Sequence, residues 1–303
     1  MKQNKVFHNA KWIIICKIVQ SLLQLLIGML SARYLGPANY GLINYAKSVV
    51  AFVVPFAQLG LSATLVRELL ETPEQEGEIL GTSLVMGIVS SISCMLVVAS
   101  FVSLANPGEP QTIIVCILYS ISLIFQAIEL IQSWFHSKLQ SKYPSIMMLI
   151  AYVAVSAYKI FLLITGKTIY WFAVVYSIEY GIVGCALLGI YEKQGQQKLA
   201  FSFSMAKRLL LRSRHYILSS LMVTLFQNTD HIMLKNMSGD AENGIYSAAI
   251  TCVGMTQFVY AAIIDSMRPV ILSSKKINPV DYENNICHSS CQIDFPKQVL
   301  FFL

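Results

Sequence analysis

Long apolar segments separated by short polar breaks run along most of the chain. Crossing the hydrocarbon core of a bilayer takes about 20 residues of helix, and segments of this size recur. Because lipid offers no partners to backbone polar groups, each segment is predicted to satisfy its own as a helix. The pattern predicts eight transmembrane helices: 12–32, 40–66, 79–104, 112–132, 146–165, 169–190, 215–235 and 243–273.

The composition agrees with a protein whose surface faces lipid. Hydrophobic residues make up 55% of the 303 residues and charged residues only 13%, against about 25% charged in soluble domains. We therefore predict an all-α polytopic membrane protein. The net charge is +6, but no long basic run with interleaved aromatic residues occurs, so nucleic acid is not an expected partner.

Lysine and arginine are distributed unevenly between the two sets of loops. With the N-terminus inside, the outer segments contain only Arg33, Lys167 and Lys235. Because basic residues concentrate in cytoplasmic loops, the N-terminus is predicted to be cytoplasmic in a plasma membrane. The inner segments contain Lys2, Lys5, Lys11, Arg67, Lys138, Lys142, Lys193, Lys198, Lys207, Arg208, Arg212, Arg214, Lys275 and Lys276.

Four regions follow from these patterns. Residues 1–190 form a six-helix lobe, and 191–214 form a basic cytoplasmic linker. Residues 215–273 form the first two helices of a second lobe, and 274–303 form an atypical tail. The linker ends in MAKRLLLRSRHY, which suits either a short interfacial helix or a plain connector with snorkelling basic residues.

A short internal repeat relates the two lobes. Gly36-Pro37-Ala38-Asn39-Tyr40-Gly41-Leu42 aligns with Gly239-Asp240-Ala241-Glu242-Asn243-Gly244-Ile245 at an offset of 203 residues. The same offset places Gln24 on Gln227 and Ala46 on Ala249. Six predicted helices separate equivalent points, so both copies have the same orientation, as in transporters built from parallel repeats.

Polar and small residues follow one face of several predicted helices, most clearly in the first, second, seventh and eighth. Such stripes are often packing seams between helices. Charged residues within the spans fit that explanation poorly, because a charge at the bilayer centre costs at least ~2.5 kcal/mol. Pairing or snorkelling could satisfy some of them, and a hydrated cavity between the lobes could satisfy the whole set.

The charged residues suggest two roles within such a cavity. Cations would attract an anion, for which lysine is a flexible point charge; they are Lys17, Arg33, Lys47, Lys159 and Arg268. Carboxylates could balance these cations or carry protons or ions in a coupled cycle; they are Glu129, Glu179, Asp230 and Asp265.

Catalytic and metal-binding patterns are not evident. No pairing of nucleophile and base stands out, and Cys287, His288 and Cys291 supply too few ligands for a metal site. We therefore expect neither an enzyme nor a cofactor. An enzyme acting on lipid-linked sugars would in any case present catalytic groups on a sizeable loop, and the predicted outer loops are short.

Residues 32–41, ARYLGPANYG, resemble the signature of bacterial polysaccharide-export flippases of the Wzx type, which translocate O-antigen and capsule precursors. Gln58-Leu59-Gly60-Leu61, Arg67-Glu68 and the segment 230–246 fit the same pattern. The resemblance covers roughly residues 1–272. It implies two six-helix lobes around a cationic cavity, and movement of undecaprenyl-diphosphate-linked oligosaccharide across the bacterial inner membrane.

The resemblance also implies partners and leaves alternatives. The implied partners are membrane lipid, the lipid-linked oligosaccharide, and polysaccharide polymerases or assembly proteins. A cation-coupled exporter of drugs or other small molecules belongs to the same superfamily and is an alternative function. Eight helices would complete only a third of the second lobe, and the composition changes near Lys275. These two features predict a truncated or frameshifted product or a fragment, and the chain could be an inactive flippase remnant.

Overall fold

The computed structural model describes residues 2–138, 140, 142–195 and 197–253, with side-chain positions from Val19 onward. Helices make up nearly all of this part of the chain, and no strand occurs in it. The all-α prediction is therefore confirmed. The tail 274–303, and most of the eighth predicted span, lie outside these residues.

Ten helices follow one another along the described residues, and two short 3-10 turns, Pro73–Gln75 and Glu129–Ile131, interrupt them. The tenth helix starts at residue 240 and is described to residue 253. The helices are α1 (Lys2–Ala57), α2 (Leu61–Glu71), α3 (Glu76–Ala105), α4 (Pro110–Ser120), α5 (Ser122–Ile128), α6 (Gln132–Ser137), α7 (Lys142–Ile164), α8 (Ile169–Gln194), α9 (Phe203–Ser238) and α10 (240–253).

Five helical segments of the described chain are long and apolar enough to cross a membrane: Val19–Ala57, Pro73–Ala105, Pro110–Ser137, Lys142–Ile164 and Ile169–Gln194. They contain most of the first six predicted spans. The first two spans merge into α1, and the second ends early because Gly60, with a left-handed φ of 60°, separates α1 from α2. The seventh span lies within α9, which does not meet the same criterion of hydropathy and charge. The protein is polytopic, and the count of eight stays a prediction.

The loops collect at two opposite ends of the helix bundle. The glycine end comprises residues 33–41, 105–112, 165–168 and 235–244. The basic end comprises residues 58–78, 132–142 and 191–212. Contacts within each set show the grouping: the Tyr34 hydroxyl donates to the Lys167 carbonyl at 3.4 Å at the glycine end. Lys138 pairs with Glu76 at 3.0 Å at the basic end.

Two buried apolar clusters hold the bundle together. One surrounds Tyr45 and Phe172 in the half nearer the glycine end. The other surrounds Leu65 and Trp134 in the half nearer the basic end. Burial of this apolar surface between helices fixes the positions from which polar side chains project.

A single glycine interrupts α1, and an equivalent glycine separates α9 from α10. Gly36 has φ 72° and ψ 168°, and Gly239 has φ 91° and ψ 177°. A positive φ of this kind, combined with an extended ψ, is essentially restricted to glycine. The two positions differ by the 203 residues of the sequence repeat. The first glycine of the repeated motif therefore adopts the same backbone conformation in both copies.

The two copies of the motif also pack directly against each other. A Cβ at Gly41 would overlap the Asp240 carbonyl, and a Cβ at Gly244 would overlap the Pro37 carbonyl. Gly41 and Gly244 are equivalent positions of the repeat, and so are Pro37 and Asp240. Each glycine therefore contacts the same position of the other copy, and the contact is reciprocal. The Asn243 side chain adds a hydrogen bond to the Gly41 carbonyl at 2.8 Å. Backbone approach this close is possible only where side chains are absent, as at small-residue seams between membrane helices.

A buried carboxylate organises the basic end. Glu68 in α2 is only 1% exposed and accepts from Arg208 at 2.6 Å and Arg212 at 2.5 Å. Arg212 also reaches Glu71 at 2.7 Å. These arginines lie in the segment for which a separate interfacial helix or a plain connector was expected.

The structure differs from both interpretations of that basic segment. From Phe203 onward it is the first part of α9, whose N-terminus is capped by the Ser202 hydroxyl. No break separates it from the seventh predicted span, because residues 203–238 contain no glycine or proline. Its arginines pair with α2.

The residues that precede α9 are fastened to the start of α3. The Gln197 side chain accepts from the Gly77 amide at 2.9 Å, and the Ala200 amide donates to the Gly77 carbonyl at 3.1 Å. The Ser202 amide donates to the Thr82 hydroxyl at 3.0 Å. Residues 197–202, part of the predicted linker, are therefore bound to α3.

Gly41→Ala is expected to destabilise the protein by about 1–3 kcal/mol, because the new Cβ forces the two motif copies apart. Thermal unfolding in detergent measures the effect. Gly189→Ala is the matched control, since a Cβ there meets nothing within 4 Å and alanine favours a helix by about 1 kcal/mol over glycine. Equal melting temperatures for Gly41→Ala and wild type would refute the reciprocal contact.

The double variant Arg208→Met, Arg212→Met is expected to lower stability by about 2 kcal/mol or more, because it leaves Glu68 buried without its charged partners. Arg214→Met removes an exposed arginine of the same helix and is expected to change stability by less than about 0.5 kcal/mol. Chemical unfolding in mixed micelles compares the two. A double variant as stable as Arg214→Met would show that the cluster contributes nothing.

Candidate functional site

A cavity of about 90 Å³, which we call the lysine cavity, lies between α1, α7, α8 and α10. Both parts of α1, on either side of Gly36, contribute to its wall. The residues that line it are Gln24, Gly28, Ser31, Leu35, Tyr40, Ile43, Asn44, Lys47, Tyr152, Lys159, Phe172, Tyr176 and Thr251. Residues from the first, second and eighth predicted stripes therefore meet around one space.

Lys47 lies near the middle of the bundle. At a rise of about 1.5 Å per residue, it is roughly 15 Å along the helix from both Gly36 and Ala57. A hydrocarbon core is about 30 Å thick, so this position corresponds to its centre. The Lys47 side chain is nevertheless exposed. An ammonium group at this depth requires water or an anionic ligand in the cavity.

A second lysine and a tyrosine complete the polar part of the cavity. The Lys159 ammonium lies 5.3 Å from the centre of the Tyr176 ring, a cation–π distance. Glu179 lies within electrostatic range of both Lys47 and Lys159. In the part of the chain that the structure describes, no carboxylate approaches either lysine within the 4 Å of an ion pair. The cavity therefore presents two cations that are only partly balanced.

A second, larger cavity of about 290 Å³ opens toward the basic end, and we call it the amide cavity. It contains three glutamines and two serines, together with Glu129 and His136. Glu129 interacts electrostatically with Glu179. The residues that line the cavity are Gln58, Ser62, Gln126, Glu129, Leu130, Gln132, Ser133 and His136.

The structure gathers only part of the predicted site. Arg33 is exposed near the kink in α1 and lines neither cavity. Lys17 lies in α1, but its side chain precedes the described positions, and Asp265 and Arg268 fall outside the described residues, as do Cys287, His288 and Cys291. Lys47 and Lys159 line the lysine cavity, Glu129 lines the amide cavity, and Glu179 lies near both lysines.

Asp230 has local partners instead. It accepts hydrogen bonds from the Tyr246 hydroxyl and from the His231 amide. The His231 ring in turn contacts the Asn243 side chain at 2.9 Å. Asp230 therefore helps to join α9 to α10 close to the reciprocal glycine contact.

Sequence reasoning missed the tyrosines and most of the amide cavity. Tyr152 and Tyr176 line the lysine cavity from α7 and α8, but aromatic residues in a membrane helix look like ordinary packing residues. Gln126 and Gln132 are six residues apart, and a 3-10 turn at Glu129–Ile131 changes the helical register between them. A search for uncharged amides inside apolar segments could have found them.

A buried lysine fastens the glycine end. The side chain of Lys235 is 5% exposed and pairs with Glu109 at 2.8 Å and with Asp240 at 3.4 Å. Its ammonium also lies 4.6 Å from the centre of the Tyr45 ring. Lys235 thus links α9 and α10 to the loop between α3 and α4, next to the contact between Gly41 and Gly244.

Comparison with known proteins places the chain in a family. The family model described as polysaccharide biosynthesis protein matches residues 6–275. The chain belongs to the polysaccharide biosynthesis protein family. A relative in Escherichia coli (strain K12), named "Putative O-antigen transporter", is 21% identical over 288 residues, covering 92% of this chain and 68% of that protein. No solved structure matches the chain.

Membership of the polysaccharide biosynthesis protein family supports a role as a membrane polysaccharide flippase. The Wzx-type resemblance inferred from residues 32–41 is confirmed. Proteins of this family are transporters and flippases rather than catalytic enzymes. The two cavities are therefore candidates for binding a substrate that passes through the bundle.

The contact between Lys235 and Glu109 is expected to contribute stability that depends on pH. The Lys235 ammonium holds the pKa of Glu109 below its ordinary value of 4.5. A lowered pKa gives a contribution that is complete above the ordinary value and is lost as the pH falls through the lowered one. At neutral pH, Glu109→Gln should lower stability by about 0.5–1 kcal/mol.

Unfolding free energies measured from neutral to acidic pH test this expectation. The difference between wild type and Glu109→Gln should stay constant above the ordinary value and shrink below it. Glu192→Gln, which changes an exposed carboxylate at the basic end, is the control and should alter stability at neutral pH by less than about 0.5 kcal/mol. A difference independent of pH throughout would contradict the assignment.

Proposed function

We propose that this protein moves undecaprenyl-diphosphate-linked oligosaccharide from the inner to the outer leaflet of the bacterial plasma membrane. The single observation that supports this most strongly is Lys47, an exposed lysine at the middle of a membrane helix, which shares a cavity with Lys159. The family match and the Escherichia coli relative agree with a polysaccharide substrate.

The chemistry of the lysine cavity favours a phosphate-bearing headgroup. Two ammonium groups at membrane depth attract an anion far more strongly than they would in water, because the local dielectric constant is low. Lysine suits phosphate as a point charge on a flexible stem. The hydroxyl groups of Tyr40, Tyr152 and Tyr176 add hydrogen-bond donors around the same space.

The same charges bear on the main alternative, an exporter of drugs or other small molecules, because they disfavour a cationic cargo. Aromatic rings line the cavity and would suit an organic cation, but Lys47 and Lys159 would repel one. A neutral or anionic small molecule stays compatible with the cavity. Drug resistance and polysaccharide export, measured in the same strain, separate the two functions.

The basic end is proposed to face the cytoplasm, with the N-terminus on the same side. Basic side chains concentrate there, among them Arg208, Arg212 and Lys138, in keeping with the positive-inside tendency. The glycine end would then face outward. Release to the outer leaflet would require the contact between Gly41 and Gly244 to part, as the halves of repeat transporters do in alternating access.

Glu129 and Glu179 are the carboxylates proposed to take part in proton or ion coupling. Glu179 interacts electrostatically with both lysines, and Glu129 interacts electrostatically with Glu179. Binding of an anion at the lysines would therefore change the charge balance at Glu179 and then at Glu129. Enzymes that polymerise or assemble the exported glycan are expected partners, and no catalytic role is proposed for this chain.

Lys47→Ala and Lys159→Ala are each expected to lower surface polysaccharide at least about tenfold in a strain that lacks its own flippase. Loss of either cation weakens binding of the diphosphate by more than about 1.4 kcal/mol, the equivalent of that factor. Lys167→Ala removes an exposed lysine of a glycine-end loop and should export normally. Undiminished export by Lys47→Ala at normal expression would refute the proposed site.

A further inference from the structure

The amide cavity differs chemically from the lysine cavity. Three uncharged amides line it, those of Gln58, Gln126 and Gln132, and among the described residues no lysine or arginine does. Its titratable groups are Glu129 and His136, so it lacks the pair of ammonium groups that the lysine cavity offers to a phosphate. A diphosphate would therefore be attracted less strongly here than at Lys47 and Lys159.

Neutral amides and hydroxyls match another class of ligand. Each carboxamide offers two donors and an acceptor with two lone pairs, and a serine hydroxyl both donates and accepts. Sugar hydroxyls also donate and accept, so an oligosaccharide can pair with such a wall in many orientations.

The internal hydrogen bonds of the cavity use only part of this capacity. Gln126 donates to the Ser122 hydroxyl at 3.4 Å, and the Gln132 amide contacts the His136 ring at 3.1 Å. Within the described residues, the Gln58 side chain makes no hydrogen bond. Gln58 and Gln132 are each half-buried, so polar atoms remain available to a ligand.

The two cavities lie at different levels of the bundle, one beside Lys47 in α1 and the other beside Gln58 in the turn that follows α1. Lys47 and Gln58 are separated by roughly 15 Å along α1 and the turn after it. Glu179 interacts electrostatically with Lys47 and Lys159. It also interacts with Glu129, which lies in the wall of the amide cavity. A ligand that touches both cavities must be extended, with an anionic part and an uncharged polar part.

We infer that the amide cavity binds the oligosaccharide of the substrate, while the lysine cavity binds its diphosphate. This inference rests on the proposed function, since it assigns a second part of the same substrate to a second place. It makes Gln58, Gln126 and Gln132 the residues that contact sugar. The cavity, rather than the lysines, then restricts which glycans are exported.

Two probes test the inference, and each represents one part of the proposed substrate. The first is the glycan released by mild acid from lipid-linked intermediates that accumulate in a flippase-deficient strain of the host. The second is inorganic pyrophosphate. Binding of each to the full chain in nanodiscs is followed by saturation-transfer and phosphorus NMR. The variants are Gln58→Leu, Gln132→Leu (double) and Lys47→Ala.

The glycan is expected to bind wild type and Lys47→Ala alike, and the double glutamine variant at least about tenfold more weakly. Pyrophosphate is expected to bind wild type and the double glutamine variant alike, and Lys47→Ala at least about tenfold more weakly. Gln58→Asn, Gln132→Asn retains the amides and should restore part of the glycan binding. Gln75→Leu changes an exposed glutamine outside both cavities and should change neither probe.

Glycan binding that is absent from wild type, or unchanged in the double leucine variant, would overturn the inference. Loss of both probes in the leucine variant together with a lowered melting temperature would assign the glutamines to folding and overturn it as well. Pyrophosphate binding unaffected by Lys47→Ala would instead overturn the proposed role of the lysines. The two failures are therefore distinguishable.

Discussion

The reciprocal contact between the two glycine motifs is the constraint on which the arrangement of the site depends. Gly41 lies against the backbone of Asp240, and Gly244 lies against the backbone of Pro37. Because neither glycine has a side chain, α1 and α10 approach closely at one end of the bundle. That approach brings Thr251 to the edge of the lysine cavity, where its hydroxyl lies 3.3 Å from that of Tyr40. Lys235, buried beside the contact, reinforces it with charge.

Apolar packing and isolated polar clusters have distinct tasks in this molecule. The two buried apolar clusters set the positions of the helices, and ion pairs fasten the two ends: Glu68 with its arginines at one, Lys235 with Glu109 and Asp240 at the other. Between the ends, Lys47 and Lys159 lack a carboxylate within ion-pair distance among the described residues. Charges at the ends are thus used for structure, and charges in the middle are left for a ligand. This division supports transport of an anion through the bundle.

The proposed substrate has two chemically different parts, and the two cavities differ in the same way. A diphosphate needs cations, whereas a glycan needs many weak, adaptable hydrogen bonds. Placing these requirements roughly 15 Å apart along one helix would let the protein bind the invariant diphosphate strongly and the variable glycan selectively. Glu179 interacts electrostatically with both lysines, and it also interacts with Glu129, which lines the amide cavity.

The sequence by itself determined the helical class, the family, most spanning segments and the repeat, because hydrophobic length and a glycine spacing are local properties. It also singled out Lys47 and Lys159, since a lysine inside an apolar run is conspicuous wherever it points. Only the tertiary structure decided which polar residues meet. It left Arg33 and Asp230 out of both cavities, added Tyr152 and Tyr176, and paired the arginines of the basic segment with Glu68 in α2. Several of these choices depend on contacts between residues far apart in the sequence, such as Arg208 and Glu68, and no pattern along the chain encodes such contacts directly.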